Sequence, residues 1–166
     1  SVVSGGITAP HGFSASGVSA GLKPSGKLDL ALILAPQDAL CAANFTQSLV
    51  RAKCIDLCLE RLLKQAGKIR AVVINSGQAN ACTGRRGLDD SLVATNALAK
   101  TLGLADEEVL ICSTGVIGVP IPMENLLKGI TPLVNGLSSD GGVNAAKAIL
   151  TTDLVDKQIA IEGNLG

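Results

Sequence analysis

Val109-Leu-Ile-Cys-Ser-Thr-Gly-Val-Ile-Gly-Val-Pro-Ile-Pro-Met123 is the stretch from which the fold is read. Its first four residues, Val109 to Cys112, form an apolar run that predicts a short buried strand. The run breaks at Ser113-Thr114-Gly115, with Gly118 and two prolines close behind. Small hydroxylic residues and a glycine at a strand end leave backbone N–H groups uncovered. Such a turn holds an anion, or the negative oxygen that develops on a carbonyl under attack. The same residues also make an ordinary β-turn that needs only its glycine. Local pattern alone does not choose between the two.

Upstream, Lys27 to Pro36 (KLDLALILAP) carries an apolar run bounded by charge and by proline, and predicts a strand buried on both faces at its end. Phe13 to Leu22 is small and weakly alternating, which suits a strand whose neighbours approach closely. Asp38 to Thr46 reads as a further small-residue strand. Ser48 to Gln65 predicts a helix: Leu49, Ile55, Leu59, Leu62 and Leu63 recur at helical spacing, and Gly67 is its stop. Ile69 to Ile74 (IRAVVI) is a β-branched strand running into Asn75-Ser-Gly-Gln-Ala-Asn-Ala-Cys-Thr-Gly84, an uncharged stretch rich in amides. Those amides either bind a polar ligand or satisfy the loop's own backbone.

Downstream, Asp89 to Leu102 and Met123 to Leu133 predict helices, the second broken by Gly129 and Pro132. Gly136 to Gly142 is a polar loop. Val143 to Leu150 is a short Ala-rich helix leading into Thr151-Thr152-Asp153, and Lys157 to Ile161 is a strand. Glu162 to Gly166 shows neither a cap nor a boundary signal. Strands alternating with helices predict a mixed α+β architecture, with small apolar residues packed against helices.

The 166 residues fit one domain or one large piece of a bigger fold. Aromatics make up only 1% while apolar residues reach 47%, so the core is built from Ala, Val, Ile and Leu. Fourteen basic and fourteen acidic residues cancel, and no Trp or Tyr is present to stack bases. Neither feature suits a nucleic-acid partner. No apolar run has the length to span a bilayer, and Ser1 to Phe13 has neither part of a signal peptide. Cys41, Cys54, Cys58, Cys82 and Cys112 sit among small or apolar residues without a ligand cluster, so they read as reduced core thiols and no metal is expected. His11, the only histidine, stands beside Pro10 in a loop, as a surface or capping residue or as a general base.

The three strand-end stretches, NSGQANACTG, CSTGVIG and TTD, share hydroxyls, amides and glycines and lack a strong base. No nucleophile elbow, phosphate loop or zinc-protease signature is present. The chain therefore carries an oxyanion-binding turn and a polar pocket without a nucleophile–base pair, which is half of an active site.

At this point the sequence resembles a family. Asn75 to Gly84, Ser113-Thr-Gly-Val-Ile-Gly118 with Ile121-Pro-Met123, and Thr151-Thr-Asp153 resemble the α-chain of ornithine acetyltransferase, the bifunctional glutamate N-acetyltransferase of arginine biosynthesis. Gly6-Ile-Thr-Ala-Pro10, Gly12-Phe13 and Asp29-Leu-Ala-Leu-Ile33 match that family's opening. Gln78 stands where many members carry Asn, and keeps the amide.

The resemblance implies a layered sandwich of β-sheets flanked by helices, a self-cleaving, N-terminal-nucleophile-like acyltransferase fold, with residues 1–166 as a single α-chain domain. It implies a separate β chain whose N-terminal Thr is the nucleophile, its own α-amine serving as base, in an α2β2 heterotetramer. Acetyl would pass from N-acetylornithine to that Thr and then to glutamate. The family's oxyanion pair falls on Thr114 and Gly115, and its substrate-contacting threonine on Thr151, with Thr152 as the neighbour that shares or owns the role. Covalent acyl transfer of this kind calls for no cofactor. A cytoplasmic location follows, or an organelle matrix or stroma if a transit segment was removed. The family also uses a Lys in a Gly-rich stretch ahead of its cleavage site. No such stretch occurs up to Gly166, and Lys157 does not take its place. The motifs do not say whether acetyl-CoA also serves as donor. Two other readings compete: a self-cleaving aminopeptidase subunit, which would hydrolyse peptides, and a small-molecule-binding module, which would fold and bind alone.

Overall fold

The computed structural model describes residues 1–164, so Leu165 and Gly166, the end of the uncapped C-terminal stretch, lie outside the described residues. Strand β1 (Val2–Val3) is followed by a 3-10 turn (Gly6–Thr8), β2 (Ser14–Val18), β3 (Leu30–Leu34) and helix α1 (Lys53–Lys64). Then come β4 (Ala71–Gln78), α2 (Gly84–Leu102), β5 (Val109–Val116), α3 (Met123–Asn135), α4 (Gly142–Ala148) and β6 (Ala160–Ile161). The main sheet has the order β2-β3-β4-β5. β2, β3 and β4 pair antiparallel, whereas β4 and β5 pair parallel. A parallel neighbour requires a crossover, and α2 supplies it.

Register divides the residues of the sheet between its faces. Leu30, Leu32 and Leu34 stand beside Asn75, Val73 and Ala71, which stand beside Ser113, Ile111 and Val109. This face meets α1, α2 and α3 in the main core, with Leu57, Leu98, Leu126, Ile130 and Leu133 buried against it. Each buried Leu or Ile contributes about 2 kcal/mol, so these residues dominate the stability of the layer. The other face is built from smaller residues: Ala15 and Ala31 pack on Ala145 and Ala148 of α4. Gly17 explains why β2 is so small-residued, because a Cβ there would collide with the Asn144 backbone. The short β1–β6 ribbon stands across a cavity from Ala31, Ile33 and Ile74 of this face. The mixed α+β, layered expectation therefore holds.

Several element boundaries differ from the sequence reading. Asp38 to Thr46 forms no strand: β3 already has β2 and β4 as neighbours, the outer edge of β2 is bridged to Ser138, and α1 lies along β5. The start of the β5 edge is thus covered, and Cys41 is instead tied to the carbonyl of Gly67 at 2.7 Å. The first helix begins at Lys53, not Ser48, leaving Leu49 99% exposed. Helix α2 begins earlier than Asp89, at Gly84, where Arg85–Asp89 and Arg86–Asp90 ion pairs lace the added turn. Pro132 does not break α3, because it sits in the last turn and the carbonyl it leaves unbonded belongs to exposed Lys128. The strand over Lys157 to Ile161 shrinks to Ala160–Ile161, the only two of those residues with a partner strand.

Candidate active site

The C-terminal ends of β4 and β5 lie side by side, and this is where an open parallel pair places a site. Asn75 faces Ser113, Ser76 faces Thr114, Gly77 faces Gly115 and Gln78 faces Val116. The two most unusual stretches of the sequence are thus one structural unit. Their composition places both beyond the ends of their strands. Both strands instead continue into them, β4 as far as Gln78 and β5 as far as Val116, after which β5 turns at Ile117 and Gly118.

The reason is a matched pair of glycines. Gly77 has φ +123° and Gly115 has φ +131°, a region open to glycine alone among the residues at this rung. Because both strands deviate at the same rung, the ladder stays in register. The approach is close: a Cβ on Gly115 would stand 2.5 Å from the Gly77 carbonyl oxygen.

This geometry settles which peptide groups are free. At the start of β5, the carbonyls of Val109 and Ile111 point to the outer edge, where Arg61 and Cys58 meet them. The carbonyl of Val116 points the other way and accepts from the Ala79 N–H at 2.9 Å. By the alternation of a ladder, Thr114 gives its own N–H and C=O to β4, while the N–H of Gly115 faces the open outer edge. Thr114 contributes a half-buried hydroxyl with no hydrogen-bond partner among the described residues. The expected turn with bare amides is therefore an edge strand with one outward N–H and one adjacent hydroxyl.

Beneath this rung the polar residues are committed to structure. Ser113 Oγ donates to Asn75 Oδ1 at 2.6 Å, and Asn75 Nδ2 donates to the Gln78 carbonyl at 3.0 Å. Asn80 Nδ2 donates to the Gly87 carbonyl and to Ser91 Oγ, both at 2.9 Å. For Asn75 and Asn80 the loop-satisfying reading is correct. Gln78 differs: its Nε2 donates to the Leu22 carbonyl at 2.8 Å, while its buried Oε1 has no partner among the described residues.

The third stretch arrives through α4. Ser76 Oγ, one strand across from Thr114, donates to the Ala148 carbonyl at the end of that helix. Thr151 and Thr152 follow within a few residues, exposed and without side-chain hydrogen bonds among the described residues. Lys23, which no sequence motif marks, reaches the same place, and its Nζ donates to the Leu150 carbonyl at 2.9 Å. Nothing in the sequence distinguishes Lys23 from the other lysines.

His11 lies elsewhere, in the wall of a cavity of about 850 Å³ shared with Gly6, Ile74, Ile149 and Gln158. The cysteine expectation is refined. Cys58 Sγ donates to the Ile111 carbonyl at 3.2 Å, and burial pushes its thiol up to about 12, so it is neutral at ordinary pH. Cys82 and Cys112 are exposed. Among the described residues no three His, Cys, Asp or Glu side chains gather as metal ligands, and no helix is long and apolar enough to cross a membrane.

The ArgJ family model matches residues 14–166. An arginine biosynthesis bifunctional protein ArgJ of Prochlorococcus marinus is 71% identical over 166 residues, covering all of this chain and 40% of the relative. Its counterpart in Parasynechococcus marenigrum is 67% identical over 165 residues, 99% of this chain and again 40% of the relative. The chain thus spans about two fifths of the length of the curated relatives it matches. Among solved structures, ornithine acetyltransferase of Mycobacterium tuberculosis in complex with ornithine matches with TM-score 0.90 and 42% identity, covering 96% of this chain and 86% of that one. The ArgJ protein of Bacillus halodurans matches with TM-score 0.87 and 36% identity, over 99% and 88% of the two chains.

Proposed function

This chain belongs to the ArgJ family, and from that premise we propose that it is the α-chain half of an acetyltransferase. The whole enzyme moves acetyl from N-acetylornithine to glutamate. Residues 1–166 act as one α-chain domain, completed by a β chain whose N-terminal Thr is the nucleophile, and the pair assembles as α2β2 in the cytoplasm or an equivalent compartment.

The observation that carries the reading is the open rung, where a Thr114 hydroxyl without a partner among the described residues stands beside an outward Gly115 N–H at the end of a parallel strand pair. The chemistry follows from what that rung has and lacks. It offers two donors, and the attacking hydroxyl is assigned to the partner. That hydroxyl adds to the acetyl carbon while its proton passes to the partner's own α-amine. The carbonyl oxygen becomes negative, and Thr114 Oγ1–H and Gly115 N–H donate to it. Collapse expels the amine of ornithine, which takes the proton back, and leaves the acyl-enzyme. The amine of glutamate then attacks the ester through a second oxyanion in the same place, its proton passes by way of the α-amine to the departing threonine oxygen, and N-acetylglutamate leaves. Thr151, or Thr152 beside it, contacts the amino-acid substrate. No step calls for a cofactor.

The test is reconstitution. Purified alone, this chain transfers no acetyl group. Produced with its complementary chain, it transfers acetyl from N-acetylornithine to glutamate, and the second polypeptide begins with Thr. Transfer by the isolated chain would contradict the half-site proposal, and so would peptide hydrolysis without acetyl transfer by the pair.

A further inference from the structure

We propose that Lys23 is a positioning residue for this site: it ties the Gly77–Gly115 rung to the carbonyl of Leu150 and so sets where Thr151 and Thr152 stand. The inference rests on the acyl-transfer reading and adds a residue to it.

The anchor of this tie is Asp29, whose carboxylate is fully buried. It accepts the N–H groups of Ala20 at 2.7 Å, Leu22 at 2.6 Å and Lys23 at 3.0 Å. Bonds to a charged acceptor are short and strong, and three of them fix the backbone of this turn. Lys23 therefore leaves from a rigid base. Its Cγ lies 3.3 Å from where a Cβ of Gly77 would be, so its stem passes over the glycine rung. The Leu22 carbonyl, one residue back, is held by Gln78 Nε2. From there Nζ spans to the Leu150 carbonyl, beyond the last turn of α4, where a cation is favoured by the helix dipole. Burial lowers the pKa of the ammonium, against the opposing pull of Asp29, as expected of a lysine drawn in from solvent.

The consequence is a physical link between two parts of the site that share no strand. The rung belongs to β4 and β5. The threonines follow α4 and have no side-chain hydrogen bonds of their own among the described residues. Without Lys23, the Leu150 carbonyl loses its donor, and the bond from Ser76 Oγ to the Ala148 carbonyl, two residues earlier, is left to hold the end of α4 to β4.

The experiment uses the assembled two-chain enzyme. Lys23→Met is expected to raise KM for N-acetylornithine about 10–100-fold, the range of a lost charged hydrogen bond, with kcat within about threefold of wild type. Lys23→Arg, which keeps a cation and a donor of similar reach, returns KM to within about threefold of wild type. The Lys23→Met effect shrinks in whichever background, Thr151→Ala or Thr152→Ala, by itself raises KM. If Lys23→Met gives no folded enzyme, Lys23→Gln replaces it: one atom shorter, it does not span to Leu150, and KM rises about tenfold. Wild-type transfer with an unmoved KM in these variants, a loss confined to kcat, or full additivity with both threonine changes would overturn the inference alone. A wild-type complex that transfers no acetyl would overturn the parent reading and this inference with it.

Discussion

The two halves of β5 solve the same problem in opposite ways. An edge strand exposes a row of backbone donors and acceptors that must be covered or used. Along Val109 to Ile111 they are covered. Buried Arg61 of α1 donates to the Val109 carbonyl at 2.7 Å, and Cys58 exchanges bonds with the carbonyl and N–H of Ile111. Along Thr114 to Val116 α1 no longer reaches, and the edge stays open. One half of the strand is closed by its own chain, and the other is uncovered among the described residues. A single helix, shorter than the strand's edge, marks the boundary between the sealed half and the half for which chemistry is proposed.

Breaking the open half has the largest effect. Gly115→Ala places a methyl group against the Gly77 backbone at φ +131°, and one strand has to move. The outward N–H moves with it. Steady-state kinetics of the two-chain enzyme are expected to show kcat reduced by more than about 10³-fold, beyond the loss of one oxyanion donor. Activity within about tenfold of wild type would mean that the N–H of this rung is not used.

Breaking the closed half should cost stability and spare chemistry. Arg61→Ala leaves the buried Val109 carbonyl and the half-buried Asn96 Oδ1 without their donor. Denaturant unfolding of the assembled enzyme should lose about 2–4 kcal/mol, while kcat of the folded fraction stays close to wild type. A large fall in kcat at unchanged stability would erase the division between the halves.

The smallest effect sharpens the same boundary by reactivity. Cys58, at the sealed edge, has its thiol raised to about 12 by burial, so it stays protonated at pH 8 and a thiolate appears only in strong alkali. Alkylation of the native protein at pH 8 should label exposed Cys82 and leave Cys58 unlabelled, as read by peptide mass mapping. Labelling of Cys58 at a rate like that of Cys82 would show that the sealed edge opens.

The same division explains what could be read from the chain. The closed half is legible: VLIC, IRAVVI and KLDLALILAP are apolar runs with clear borders, and each marks a strand of the sheet, although β5 and β4 run on past the first two. In the open half the composition suggests a turn, and the structure continues the strand. Ser113-Thr114-Gly115 carries the signals of a turn, and only pairing with Asn75 to Gln78, itself kinked at Gly77, lets the strand continue. A long-range match of two glycines has no local signature. The same limit hid Arg61 and Lys23, whose roles depend on carbonyls far away in sequence. Thr114, Gly115, Thr151 and Thr152 stand out through the resemblance of whole motifs, since spacing alone leaves the turn ambiguous. Asp38 to Thr46 shows the reverse, a strand-like composition in a segment that pairs with no strand of the sheet.

Oxyanion stabilisation, as proposed for this site, turns on the hydroxyl of Thr114, and one measurement reaches it directly. Single-turnover acetyl transfer by the two-chain enzyme is compared for wild type, Thr114→Ser and Thr114→Ala, with thermal melting as the control for folding. Thr114→Ser is expected to keep most of the rate, and Thr114→Ala to lose roughly 10²–10³-fold at an unchanged melting temperature. A Thr114→Ala enzyme that acetylates glutamate at close to the wild-type rate would contradict the role given to that hydroxyl.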